Sequence, residues 1–553
     1  GDLRETSARA AIVNVCLTYL LELDHSYGLQ KTIETYHLAQ YSAQYWAQHA
    51  EIVEKSYGQA LPTVEEYFSS RAAFEFGYQL YRPDWPWTIT GKGMLVGCLY
   101  YAALSGLASS TKMLLDKDAD VNAQGGRYGN ALQAASYRGH DKVVQMLLEK
   151  DADVNAQGGD YGNALYAASY GGHDKVVQML LEKDADVNAQ GGDYGNALQA
   201  ASYGGHDKVV QMLLEKNADV NAQGGDYGNA LQAASYGGHD KVVQMLLEKN
   251  ADVNAQGGDY GNAVQAASFG GHDKVVQMLL ENDADVNAQG GRYGNALYAA
   301  SYGGHDKVVQ MLLEKDADVN VQGGYYGNAL QAASYGGHDK VVQMLLEKDA
   351  DVNAQGGFWG NALQAASVRG HDKIVQMLLE NDTDVNAQGG FWGNALQAAS
   401  YGGHDKVVQM LLEKDADVNA QGGFWGNALQ AASDGGHDKI VQMLLAKCAD
   451  IEMRTLTTAD SAIVSTAVKR VGMPSPGTVE QQNSSFATTA SVTRVVSHRS
   501  HLYEEIEWGE ASAIDDHGKG PAKGKRKVQR KRKTPTTAEQ PAKKRVTRSS
   551  ASK

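Results

Sequence analysis

Cysteine is almost missing from this chain. Three residues in 553, Cys16, Cys98 and Cys448, lie far apart and show no metal-ligand spacing. That excludes a disulfide framework or a zinc ribbon and suits a reducing compartment. No apolar run reaches ~18 residues, so no transmembrane helix and no membrane partner are expected. The opening Gly1-Asp-Leu-Arg-Glu5 is not a secretory leader, so the sequon Asn483-Ser-Ser485 carries little weight. An initiator Met is absent too, and a piece of a longer protein is the expectation. No G-x-x-x-x-G-K-[ST] loop occurs that could cradle phosphates. There is also no nucleophile–base or metal constellation, so neither an enzyme nor a cofactor is expected.

What the chain has in abundance is itself. A block of 33 residues is written ten times between Gly125 and Lys447, and Gly129 recurs without slippage to Gly426. A fixed period of this length means a solenoid, whose units bury their apolar faces only against neighbours. Such a molecule presents surface rather than enclosing a pocket, which favours binding over catalysis.

Each unit predicts two short helices, near Ala131–Tyr137 and Asp141–Glu149 in the first full copy. Asn130 with Gln133 is a variant capping box, and Gly139 ends the first helix. Val143, Val144, Leu147 and Leu148 form one apolar stripe. The stretch Ala152–Asp160, with Gly158-Gly159, reads as an extended segment with a tight turn. These residues resemble the ankyrin repeat over about 320 residues. A degenerate unit at Leu99–Asn122 keeps Gly106, Leu114-Leu115 and Asp120-Val-Asn122 in phase, making about eleven units. The chain departs from the family's Thr-Pro-Leu-His, reading Asn130-Ala-Leu-Gln133. The family's glycine after the second helix is Asp at 118, 151, 184, 283, 316, 349, 382 and 415, Asn at 217 and 250, and Cys448. Asp and Asn tolerate the left-handed conformation that glycine supplies. Cysteine does not, but a terminal repeat is expected to be atypical.

The expected fold is an all-α ankyrin solenoid at 96–453. A helical region at 1–95 precedes it, with two or three helices such as Ile12–Leu23, Gln30–Lys55 and Val64–Tyr78. A Ser/Thr-rich linker with a capping helix at Ala462–Val471 occupies 454–517, and a disordered basic tail covers 518–553. That tail holds fourteen Lys/Arg against Glu539 alone, a balance of +13; with −15 for the whole chain, the remainder carries about −28. In the first region, Tyr19-Leu-Leu-Glu-Leu-Asp24, Leu38-Ala-Gln-Tyr41, Tyr45-Trp46, Phe74-Glu-Phe76 and Leu80-Tyr-Arg-Pro-Asp-Trp-Pro-Trp87 resemble the stretch joining nucleotide-binding module to repeats in fungal NACHT–ankyrin proteins, NOD-like receptors of the STAND class. The resemblance implies a nucleotide module upstream.

Two candidate metal sites fail on geometry. His140 recurs every 33 residues to His437, but neighbouring units stack ~8–10 Å apart. Two such histidines cannot share a zinc whose ligands lie roughly 2 Å away. Asp151-x-Asp153-x-Asn155 opens like a calcium loop, yet Ala156 and Gly162 stand where Gly and Glu are required.

The informative positions are those where the copies disagree. The hairpin-tip residue runs Arg127, Asp160, Asp193, Asp226, Asp259, Arg292, Tyr325, Phe358, Phe391, Phe424. Its neighbour is Tyr from Tyr128 onward, then Trp359, Trp392 and Trp425. On the first helix Gln133 becomes Tyr166 and Tyr298. Tyr137 becomes Phe269, Val368 and Asp434, and Arg138 and Arg369 stand where other copies have Gly. Ankyrin tips and first helices line the concave groove, so a fixed scaffold carries a varying groove. Neutral drift would also scatter over Gln145, Met146 and Glu149, which hardly change. Exposed Phe and Trp mark a protein-binding surface; the alternative is that the aromatic tips simply stack on one another. Under the binding reading, changing Trp359, Trp392 and Trp425 to Ala should remove affinity with little change in unfolding.

Lys525, Arg526, Lys527, Arg530, Lys531, Arg532 and Lys533, then Lys543, Lys544 and Arg545, form two basic clusters resembling a bipartite nuclear-import signal. They imply an import receptor as partner and the nucleus as destination, with the cytoplasm or non-specific nucleic-acid binding as alternatives. The expected function is protein recognition through the groove, as the sensing arm of a STAND receptor or as a nuclear adaptor tethering a partner to chromatin.

Overall fold

A computed structural model describes residues 3–24, 26–85 and 96–457. The capping helix expected at Ala462–Val471 and both basic clusters lie outside the described residues.

Five helices precede the repeats where two or three are expected: α1 (Leu3–Leu21), α2 (Leu29–Thr35), α3 (Ala39–Tyr57), α4 (Pro62–Ser69) and α5 (Arg71–Leu80). The segment expected over Gln30–Lys55 breaks between Tyr36 and Leu38. The one expected over Val64–Tyr78 breaks at Ser70, whose extended backbone and hydroxyl cap α5 through the Ala73 N–H. Trp46 is fully buried and stacks on Tyr101, with Tyr67 and Phe68 edge-on. Tyr101 belongs to α6 (Cys98–Leu104), the first repeat helix, so one aromatic core joins the two regions. Glu54 of α3 strengthens the joint. Its buried carboxylate accepts the N–H groups of Ser109 and Ser110 at 2.7 and 3.3 Å and the Ser110 hydroxyl, at the start of α7 (Ala108–Asp116). Burial pushes its pKa up, against those hydrogen bonds.

From α6 to the end the helices come in pairs, as the repeat predicts. In the pair α8 (Ala131–Arg138) and α9 (Asp141–Glu149), Asn130 caps through the Gln133 N–H at 2.9 Å. In later copies the Gln returns the bond, as from Asn196 N–H to Gln199 Oε1 at 2.6 Å. Val143, Val144, Leu147 and Leu148 are buried. Gly139 adopts φ 69°, and a Cβ there would lie 2.4 Å from the His173 ring of the next unit. That histidine reaches back 2.9 Å to the Tyr137 carbonyl oxygen, so it orients the second helix and links two units.

The Asp and Asn replacing the family's glycine all take positive φ, between 55° and 61°. Cys448 escapes the requirement, because the last helix runs without a turn from Asp438 to Thr457. The calcium-like motif is a set of hydrogen bonds instead. Asp153 caps its own turn through the Asn155 N–H, and Asn155 Oδ1 accepts the Asp186 N–H of the next unit at 2.8 Å.

Candidate inner edge of the solenoid

The tips are joined by backbone. The N–H of Asp160 donates to Arg127 O at 2.9 Å, Asp226 to Asp193 at 3.0 Å, Asp259 to Asp226 at 2.8 Å and Arg292 to Asp259 at 2.7 Å. Phe358, Phe391 and Phe424 continue the series from Tyr325 at 3.2, 3.0 and 3.0 Å. Tips bonded in this way lie about 4.8 Å apart, the spacing of paired strands, whereas packed helices need ~8–10 Å. The tip edge is therefore the short, inner edge of the repeats.

The position occupied by Gln133, Tyr166 and Tyr298 requires a correction. It was expected to vary on the groove, but all three side chains are 1–2% exposed. Gln133 Nε2 donates to the carbonyls of Ala156, Gly158 and Gly162, binding its helix to the next tip. Tyrosine does this differently: the hydroxyls of Tyr166 and Tyr298 accept the N–H of Tyr194 and Tyr326 at 3.0 and 2.9 Å. Tyr100 does the same for Tyr128 at 3.2 Å. Among the described residues, the tip ladder is interrupted at these places, with no bond joining Asp193 to Asp160 or Tyr325 to Arg292.

Behind the tips runs an unbroken file of rings. The second tip residue of each unit alternates with the Tyr137-type residue: Tyr128 with Tyr137 at 4.6 Å, Tyr194 with Tyr203 at 4.5 Å, Phe269 with Tyr293 at 4.3 Å, Tyr326 with Tyr335 at 4.6 Å. Where Val368 omits a ring, Trp359 stacks directly on Trp392 at 6.0 Å and 5°. Tyr401 and Trp425 close the file at 4.7 Å. Burial pushes the Tyr293 hydroxyl up to about 12 and raises those of Tyr170, Tyr194 and Tyr227 as well.

The sequence-predicted residues thus separate into two rows. Asp160, Asp193, Asp226, Asp259, Arg292, Tyr325, Phe358 and Phe424 are exposed, and Arg127 and Phe391 are half-buried. In the second row Trp359 and Trp425 are half-buried, while Tyr128 and Trp392 are buried, contrary to their expected exposure. The reason is the close tip spacing, which forces flat side chains face to face. Arg138 and Arg369 are exposed, with their guanidinium groups 5.6 Å from Tyr137 and 5.0 Å from Tyr335.

One residue of this edge escaped sequence reasoning. Asp84, 2% exposed, accepts the hydroxyls of Tyr78 and Tyr100 at 2.8 and 2.9 Å and the Arg127 N–H at 3.0 Å. It fastens the amino-terminal region to the first tip of the full copies. The Tyr-Arg-Pro-Asp-Trp run stands out in the sequence, but nothing local marks its aspartate as a buried acceptor for partners 6 to 43 residues away. Among the described residues no group of three or more His, Cys, Asp or Glu is arranged to hold a metal ion, and no helix is long and apolar enough to cross a membrane.

Paired helices, hairpin tips and a shared inner edge define a class of repeat protein. A family model described as ankyrin repeats (3 copies) matches residues 99–191, 165–257, 263–356, 297–389 and 362–455, and the chain belongs to the ankyrin-repeat family. It is also similar to the azaphilone pigments biosynthesis cluster protein L of Monascus ruber, 42% identical over a 154-residue alignment that covers 25% of this chain and 33% of that protein. The chain spans about a third of the length of this curated relative.

Proposed function

We propose that the chain is a protein-binding scaffold whose partner lies along the inner edge. One observation carries this reading: Tyr325, Phe358 and Phe424 are 58%, 38% and 46% exposed in a single file. Stacking at 5.2–5.6 Å covers their faces but leaves the outer rims in water. A file of exposed rings costs solubility and matches the composition of binding hot spots. The test is a full chain carrying Tyr325→Ser, Phe358→Ser and Phe424→Ser, titrated by calorimetry against a partner identified by affinity capture. Affinity should fall at least about tenfold while the unfolding midpoint hardly moves. Unchanged affinity would sink the reading.

At a finer level we read the repeats as the sensing arm of a STAND-type receptor. Support comes from the amino-terminal stretches quoted above, of which Trp46, Phe74 and Asp84 meet Tyr100 or Tyr101 of the first repeat. The test is whether a P-loop module is encoded in the same polypeptide, and whether partner binding changes its nucleotide exchange; residues 1–553 alone should not bind ATP. The second reading, a nuclear adaptor tethering its partner to chromatin, rests on Lys525–Lys533 and Lys543–Arg545. A fluorescent fusion with both clusters changed to Ala should leave the nucleus if that reading holds; unaltered distribution counts against it.

A further inference from the structure

We propose that the inner edge is jointed. Tyr166 and Tyr298 are wedges that open it, and the three panels of tips they separate, 127–160, 193–292 and 325–424, turn against one another. The joint belongs to the chain itself and stands or falls apart from the scaffold reading.

One position sets two kinds of interface between units. Glutamine stands there in eight of the ten full copies and tyrosine in two. Gln133, Gln199 and Gln232 each donate Nε2 to three carbonyls of the next hairpin. The tip of that hairpin then bonds the preceding tip through its backbone. A tyrosine reaches the next tip through its hydroxyl alone, and among the described residues the backbone bond is missing. The ring is the reason. In glutamine units the second tip glycine packs on the tip before it, so a Cβ at Gly159 or Gly225 would strike the backbone of Tyr128 or Tyr194. At Gly192 and Gly324 it would strike the rings of Tyr166 and Tyr298 instead. A ring thus stands between tips that elsewhere touch. Tyr100 is a third such ring, under Gly126, but there Asp84 accepts the Arg127 N–H at 3.0 Å and fastens the edge.

The opening is confined to the inner edge. Across the interface wedged by Tyr298, Asn287 Oδ1 still accepts the Asp318 N–H at 2.8 Å, and His338 Nε2 still meets the Tyr302 carbonyl oxygen at 3.0 Å. Across the one wedged by Tyr166 the same links measure 2.8 and 3.1 Å, through Asn155 and His206. A glutamine interface has them at 2.8 and 2.9 Å, through Asn221 and His272. Links kept on one side and released on the other make a hinge. Units of a solenoid touch only their neighbours, so no distant contact restrains it. The Tyr298 joint also falls where the tips change from Asp193, Asp226, Asp259 and Arg292 to Tyr325, Phe358, Phe391 and Phe424. A partner seated on the aromatic panel therefore leaves the charged panel able to swing to its own angle.

The experiment puts spin labels on p-acetylphenylalanine in the full chain, which leaves the three native cysteines untouched. Labels replacing the exposed outer-helix residues Gln277 and Gln343 span the Tyr298 joint. Labels replacing Gln211 and Gln277 span as many units with glutamine at every interface. Distance distributions from pulsed electron resonance should be about twofold broader for the first pair. Tyr298→Gln should narrow the first pair to the width of the second, and Gln232→Tyr should broaden the second, with circular dichroism unchanged in both. Equal widths in the unsubstituted chain overturn the proposal, as does a first-pair width that Tyr298→Gln leaves as it is. A shifted mean distance at unchanged width is a fixed bend and overturns it too. Hydrogen exchange tests the joint with no substitution at all: the Asp193 N–H should exchange about tenfold faster than that of Asp226, and equal rates would contradict an open edge. If the serine variant keeps its captured partner while Tyr298→Gln still narrows the distribution, the scaffold reading falls and the joint stands.

Discussion

At Asp118, Asp151, Asn217 and their equivalents to Asp415, the backbone holds φ between 55° and 61°. This conformation costs an L-residue energy, less for Asp and Asn than for others. Asp283→Gly should therefore stabilise the protein by up to about 1 kcal/mol, and Asp283→Val should destabilise it by about 1–2 kcal/mol; urea unfolding midpoints distinguish the two. Asp84 acts through hydrogen bonds. Removing its carboxylate leaves the Tyr78 and Tyr100 hydroxyls and the Arg127 N–H without their acceptor. Asp84→Ala should cost about 2–4 kcal/mol, and amide exchange at Arg127 should accelerate more than at central units. Equal acceleration throughout would mean that Asp84 does not fasten this joint.

Within one hairpin tip, adjacent residues have opposite roles. Trp392 is 8% exposed and packed between Trp359 and Tyr401, so Trp392→Ala should cost about 3–5 kcal/mol. Phe358, 38% exposed, should tolerate Ser within about 1 kcal/mol. This reverses the expectation that replacing Trp359, Trp392 and Trp425 would spare stability. The second helices give a similar contrast: Leu279 is fully buried, and Gln277 is exposed, bonded to Glu281. Leu279→Ala should cost about 2–5 kcal/mol and Gln277→Ala under about 0.5 kcal/mol. Comparable losses would misplace the buried face.

Over the whole molecule, one effect adds up from histidines in several units. Burial lowers the pKa of His140, His206, His272, His338 and His371 below the usual 6.5. The unfolded chain then takes up protons before the folded one does. The corresponding stability is complete well above pH 6.5 and is lost as pH falls from there through the folded pKa values. Asp339 and Asp372, held low first by hydrogen bonds from Lys373 and Lys406, contribute only at more acidic pH, through the carboxylate range. The urea midpoint should therefore drop between pH 7.5 and pH 5. Replacing His206, His272 and His338 by Gln should flatten that drop; an unchanged slope would show that these histidines are not its source.

The sequence by itself determined the helix pairs, their caps, the number of units and the left-handed turns, because each depends on residues within one repeat or on a period that any reader can count. The identity of the inner edge was legible too, from Arg127 to Trp425. Three matters were decided only by tertiary structure. Tyr166 and Tyr298 are core residues because their hydroxyls meet a backbone N–H 28 residues on. Trp392 is buried because backbone bonds draw tips to about half the helix spacing and press the rings together. Asp84 became a fastening because α5 brings it to the first repeats. All three depend on distances between units, which no single repeat records.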